Sequence, residues 1–252
     1  MDIEPRLLTD KKHLLHSLYF PFFFILVIWC MKIIELASGT SFAFLGVYPL
    51  KAQGLIGIIT APLIHASFTH LIDNSIPLFI LMVGVFYFYR PLGYKIFFLT
   101  WGITGIWVWC WARQAYHIGS SGIVYGLASF LVFSGILRRI PGLVAVSLAV
   151  VFLYGSMIWG IFPFIPDVSW ESHLSGGVAG LILSIVYRKD GPQPEKYTWE
   201  YEPENIDEED NDDYGLMTKF DESQEENKQQ EKPEGKIVYM FKPGKGDTGK
   251  ND

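Results

Sequence analysis

Six apolar runs, each close to the 20 or so residues that a helix needs to cross bilayer hydrocarbon, lie at about 14–34, 69–89, 94–112, 118–137, 142–163 and 168–187. The pattern predicts six membrane-spanning helices joined mostly by short polar turns. The first run, rich in Phe and Ile from Tyr19 to Met31, has no small-residue cleavage site and is longer than a signal-peptide core, so it reads as a retained helix. Residues 35–68 differ. They are apolar but broken by Gly39, Gly46, Pro49, Gly54, Gly57 and Pro62, which predicts a loop partly embedded in the membrane rather than a seventh span.

Charge divides the chain once more. Residues 1–188 hold 11 Lys and Arg against 7 Asp and Glu, and residues 189–252 hold 9 Lys against 19 Asp and Glu, so the net charge of −6 combines +4 with −10. Three regions follow: a cytoplasmic N-terminal segment 1–13, a six-helix body 14–188, and an acidic tail 189–252 whose low apolar content predicts disorder. Its negative charge would hold it off an anionic leaflet, and only Ile237 to Phe241 offers a strand with which to dock a partner. Cys30 and Cys110, both in apolar runs, form neither a disulfide framework nor a metal cluster and read as structural.

Orientation comes from the basic residues. Arg6, Lys11, Lys12, Arg90, Lys95, Arg138, Arg139, Arg188 and Lys189 share one side if there are six spans, against Lys32, Lys51 and Arg113 on the other. Positive charge stays inside, which puts both termini in the cytoplasm. Trp107, Trp109 and Trp111 then sit at the outer end of the third span, where amphipathic rings favour the interface.

Polar groups that remain in such spans point to function. At the outer ends of three of them lie His65, His70 and Asn74, then Gly119-Ser120-Ser121-Gly122, then Ser172-His173-Leu174-Ser175-Gly176. With helices starting at 118 and 168, Ser121 and His173 would each lie about 5–8 Å below the start of their helix. Gly122-x-x-x-Gly126 and Gly176-x-x-x-Gly180 are faces that let two helices approach closely in lipid. Their contact would bring the Ser121 hydroxyl to the His173 imidazole, a nucleophile and a general base. Ser121 and Tyr125 share a helix face, as do His70 and Asn74. Ser120, Ser129 and Ser134 are expected to bond to carbonyls of their own helix. His65 is expected to brace the long loop, and His117 the turn before Ser121. No metal is expected, because His65 and His70 lack a completing ligand at zinc spacing. Nor should a carboxylate complete a triad: Glu171 is two residues from His173, Asp167 lies in the preceding loop, and Asp73 is placed to pair with His70.

These motifs, in this order and at these helix ends, resemble those of the rhomboid intramembrane serine proteases over about residues 15–188. The resemblance implies a six-helix, all-α membrane fold in which Ser121 is the nucleophile and His173 the base. It further implies an oxyanion hole of His70, Asn74 and the Ser121 amide, with Tyr125 packed on the His173 ring and Gly119, Gly122, Gly176 and His65 in support. Substrates would be transmembrane proteins, reaching the site between the second and fifth spans past Phe79, Phe86, Phe152 and Trp159. Neither cofactor nor nucleic acid is implied. Many relatives carry Trp-Arg in the first loop, where this chain has Ile56-Gly57. The competing expectations are a catalytically silent relative that binds membrane-protein clients and, because these spans hold so little charge, more remotely a transporter.

Overall fold

The computed structural model describes residues 3–165 and 168–194; Asp167 and the acidic tail from residue 195 onward lie outside the described residues. Among the described residues seven α-helices run in chain order: α1 Ile3–Ser38, α2 Gly57–Thr60, α3 Phe68–Phe88, α4 Gly93–Trp111, α5 Ser121–Arg138, α6 Pro141–Tyr154 and α7 Trp170–Val186. Four stretches are long and apolar enough to cross a membrane, Lys11–Ser38, Phe68–Phe88, Ser121–Arg138 and Pro141–Ile161. The last begins as α6 and narrows to a 3-10 helix over Gly155–Ile161. The 19-residue α4 and the 17-residue α7 fill the two remaining predicted segments. α7 packs against both α5 and α4, so its Ser172, Ser175 and Ser184 face protein.

Leu71, Leu78, Leu81 and Met82 of α3 and Leu127, Phe130 and Leu131 of α5 form the buried centre, closed on the α1 side by Phe24 and Ile28. Phe20, Phe24, Phe97 and Trp101 stack edge-on between α1 and α4. Phe86 belongs to this aromatic cluster, 5.2 Å from Phe20 and 4.8 Å from Tyr94 between ring centroids, and so does not line a gap toward α6 as the family resemblance implied. Phe152 and Trp159 are exposed, while Phe79 is half-buried.

The long first loop folds into short helical turns held to α4. Trp101 Nε1 donates to the Ile58 carbonyl at 2.8 Å and Trp109 Nε1 to the Lys51 carbonyl at 3.0 Å. Gly105 leaves room for Ile58, whose Cγ2 would lie 2.9 Å from a Cβ there. Val47 and His117 exchange backbone hydrogen bonds of 2.9 Å each way, which joins the loop to the turn before α5. Tryptophans of α4 thus anchor a loop that lacks Trp-Arg of its own.

The two glycine faces meet. A Cβ on Gly176 would run into the Gly122 carbonyl oxygen and one on Gly180 into that of Gly126, so α5 and α7 touch backbone to backbone. Ser129 Oγ spans the same interface, donating to the Gly177 carbonyl at 2.7 Å rather than to its own helix. Ser134 likewise serves another group, accepting from Arg138 Nε at 3.0 Å. Arg138 is more than a loop cation. Its buried guanidinium also donates to the carbonyls of Tyr187, Asp190 and Pro192 and lies 5.4 Å from the Tyr89 ring centroid, tying the C-terminal ends of α5 and α7 together. Cys30 and Cys110 are free and exposed.

Overpacking such an interface costs about 1–3 kcal/mol. We therefore expect Gly180→Ala to lower the thermal midpoint in detergent clearly, while Gly177→Ala, with nothing within 4 Å of a Cβ, leaves it unchanged or raised. Equal midpoints for the two variants would contradict the close contact.

Candidate active site

Gly119 has φ +102°, a conformation that suits glycine, and the chain turns there so that α5 begins at Ser121 itself. Ser121 is consequently the first residue of its helix, whereas His173 is the fourth of α7; the expected equal depth below two helix starts does not hold. The side chains meet nonetheless. His173 Nε2 lies 2.8 Å from Ser121 Oγ, and Nδ1 lies 2.8 Å from the Gly160 carbonyl oxygen. A carbonyl only accepts, so Nδ1 carries the proton and Nε2 is bare toward the serine hydroxyl, which donates to it. That is the tautomer a general base requires.

The ring is held from the side as well. Tyr125 stacks on it with centroids 4.1 Å apart and planes 8° from parallel, and Tyr125 OH donates to the Met157 carbonyl at 2.6 Å. Gly160 must be glycine, since a Cβ would strike Tyr125 OH and approach His173 Nδ1 to 3.0 Å. The 3-10 stretch Gly155–Ile161 therefore orients the imidazole with two backbone carbonyls. Neither was visible in the sequence, because carbonyls carry no side-chain signature.

No carboxylate among the described residues shares the His173 ring. Glu171 is buried and turned to Arg113, accepting from its backbone N–H at 3.3 Å and lying 3.5 Å from Nη1. Asp73 is exposed on α3.

Opposite Ser121, α3 opens with Ser67 as its cap, accepting from the His70 N–H at 3.1 Å. One turn on, Asn74 Nδ2 donates to the His70 carbonyl at 3.0 Å and keeps a second N–H. A Cβ on Gly119 would lie 2.9 Å from His70 Nε2 and 3.8 Å from Asn74 Nδ2, so the bare glycine preserves the space that these donors face. The Ser121 N–H belongs to the first turn of α5, where amides have no helical partner and the helix dipole is positive. His70, Asn74, Ser121, Tyr125, Met157 and His173 line one cavity of about 670 Å³ whose rim includes the exposed Thr69, Asp73, Arg113 and Tyr116.

The neighbouring serine has a different task. Ser120 is buried, and both its N–H, at 3.5 Å, and its hydroxyl, at 3.3 Å, face His65 Nε2, so His65 braces the turn that presents Ser121. His117 braces it from the other side through the Arg113 carbonyl at 2.9 Å and Ser169 Oγ at 2.6 Å.

Burial, reinforced by the adjacent His70 imidazole, pushes the His65 pKa from 6.5 down to about 3, and burial lowers that of His117 as well. Unfolded, these imidazoles take up protons that the folded protein refuses, so the contribution of His65 to stability is full above pH 6.5 and is lost as pH falls toward 3, and that of His117 is lost in the same direction. Between about pH 7 and 4.5 the thermal midpoint of the unsubstituted protein should fall further than that of His65→Gln. Equal falls would show that His65 is not held neutral.

The Rhomboid domain family model matches residues 52–190. Uncharacterized proteins of Mycobacterium bovis and Mycobacterium tuberculosis are each 32% identical to this chain over 177 residues, covering 65% of it and 72% of their own length. One from Mycobacterium leprae is 30% identical over 174 residues, covering 65% and 68%. With four apolar stretches of membrane-crossing length, this multi-pass membrane protein belongs to the rhomboid family.

Proposed function

We propose that the chain is an intramembrane serine endopeptidase that hydrolyses peptide bonds in or next to transmembrane segments of other membrane proteins. The observation that carries this reading is the 2.8 Å contact between Ser121 Oγ and a His173 Nε2 left bare by the Nδ1 bond to Gly160. As a peptide carbonyl enters the cavity, Ser121 Oγ attacks its carbon and His173 Nε2 takes the hydroxyl proton. The new oxyanion receives N–H donors from Asn74, His70 and the Ser121 amide, each worth about 3–4 kcal/mol in the transition state. Protonated His173 then gives its proton to the leaving amine. Water, activated by the same imidazole, releases the acyl group from Ser121.

The protease domain comprises residues 14–188 and the tail is an appendage to it. α4 and α7, added to the four stretches named above, make six crossings, with both termini in the cytoplasm and the cavity in the outer leaflet. The basic residues support that orientation. The bacterial source of the relatives agrees with a cytoplasmic membrane. Substrate helices would arrive between α3 and α6, past the exposed Phe152 and Trp159, and must unwind to an extended form for a carbonyl to reach Ser121.

A fluorophosphonate probe added to the detergent-solubilised, folded protein should label it covalently, and Ser121→Ala should abolish the labelling. Failure of the unsubstituted protein to label would favour a relative that binds membrane-protein clients without cutting them.

A further inference from the structure

Among the described residues α1 contributes none to the lining of the catalytic cavity, yet near its C-terminal end it carries a basic residue with all three ammonium hydrogens engaged. Lys32 Nζ donates to Glu35 Oε2 at 2.6 Å, to the His65 carbonyl at 2.9 Å and to the Ala66 carbonyl at 3.1 Å. Both charged side chains are only 12% exposed. The second Glu35 oxygen, Oε1, accepts from the Phe42 N–H at 2.8 Å, so the pair holds the first loop at both its start and its finish. Charges in or beside lipid are costly unless matched in this way, and an apolar pair would fill the same place at lower cost.

The grip falls on a particular link of chain. His65 reaches back to Ser120, Ala66 precedes the cap Ser67, and Ser67 fixes the amide of His70, whose ring edge lies against Gly119. The segment carrying both side-chain donors of the oxyanion hole is thus registered against Ser121 through two carbonyls bound to Lys32. The Ser121 and His173 contact is built from α5, α7 and the 3-10 stretch, without α1.

We infer that Lys32 is a positioning residue for the oxyanion hole, setting the place of His70 and Asn74 relative to Ser121 by holding the His65 and Ala66 carbonyls; this rests on the proteolytic reading above. Loss of the ammonium lets the link relax while leaving the nucleophile and base in contact. A displacement of about 1 Å at such donors costs on the order of 100-fold in rate.

The test is cleavage of a reporter transmembrane segment in proteoliposomes by the full chain. Lys32→Met is expected to lower kcat about 10- to 100-fold with KM within about threefold. In a background with both His70→Ala and Asn74→Ala the same substitution should cost only about twofold, because the groups through which Lys32 acts are then gone and the losses are not additive. A merely structural lysine would give fully multiplying losses, and that result overturns the inference, as does a Lys32→Met kcat within about twofold of the starting protein. Should Lys32→Met fail to fold, Lys32→Met combined with Glu35→Gln, which leaves no unpaired carboxylate behind, is read by the same two comparisons. Absence of both cleavage and fluorophosphonate labelling in the unsubstituted protein overturns the proteolytic reading with it, whereas cleavage with an unaltered kcat in Lys32→Met overturns this inference alone.

Discussion

The direct backbone contact between α5 and α7 is the constraint on which the rest of the site depends. In lipid there is little hydrophobic drive to bring two helices together, and association relies on close packing and weak hydrogen bonds. Glycine at 122, 126, 176 and 180 allows the carbonyls of one helix to lie over the Cα atoms of the other. Only at that separation can a side chain as short as serine reach an imidazole on the facing helix. The C-terminal ends of the two helices are tied by Arg138 and the middle by Ser129, so the N-terminal ends, where Ser121 and His173 meet, are held from two points along the same seam.

The electrostatic design avoids formal charge where lipid would penalise it. A carboxylate behind the histidine would have to be desolvated beside hydrocarbon. A backbone carbonyl selects the same tautomer with no ion to bury, and Gly160 supplies it from a 3-10 stretch that has carbonyls to spare. Of the formal charges near the site, Glu171 with Arg113 and Glu35 with Lys32 are paired and turned toward loops, and Asp73 stands exposed on the cavity rim. The two pairs position backbone; they do not touch the reacting atoms.

Much of this was legible in the sequence, for a physical reason. Runs of membrane length are read as helices, and small-residue faces in such helices mark where they meet, so the pairing of Ser121 with His173 followed from spacing, whereas the stacking of Tyr125 on the ring came with the family resemblance. What stayed hidden has equally specific causes. The helix start at Ser121 depends on the positive φ of Gly119, which shifted the expected depth by a turn. Ser129 bonds across to the Gly177 carbonyl of α7, and Ser134 accepts from the Arg138 side chain one turn on in its own helix, because each has a partner that competes with the carbonyl of its own turn. Phe86 faces α1 and α4 because the helix it sits on packs there, and Arg138 looked like a loop cation because burial is not written in a charge. Gly160, Met157 and the carbonyls that Lys32 holds act through main-chain atoms, which any residue type possesses.

The central claim is that helix contact delivers a bare imidazole nitrogen to the Ser121 hydroxyl. Nitrogen-15 NMR of the protein with labelled histidine reads this directly, one ring atom at a time. The account predicts a neutral His173 protonated at Nδ1, with an Nε2 resonance that accepts a hydrogen bond and moves when Ser121 is replaced by Ala. An Nε2-protonated ring, or an Nε2 signal indifferent to that replacement, would contradict it.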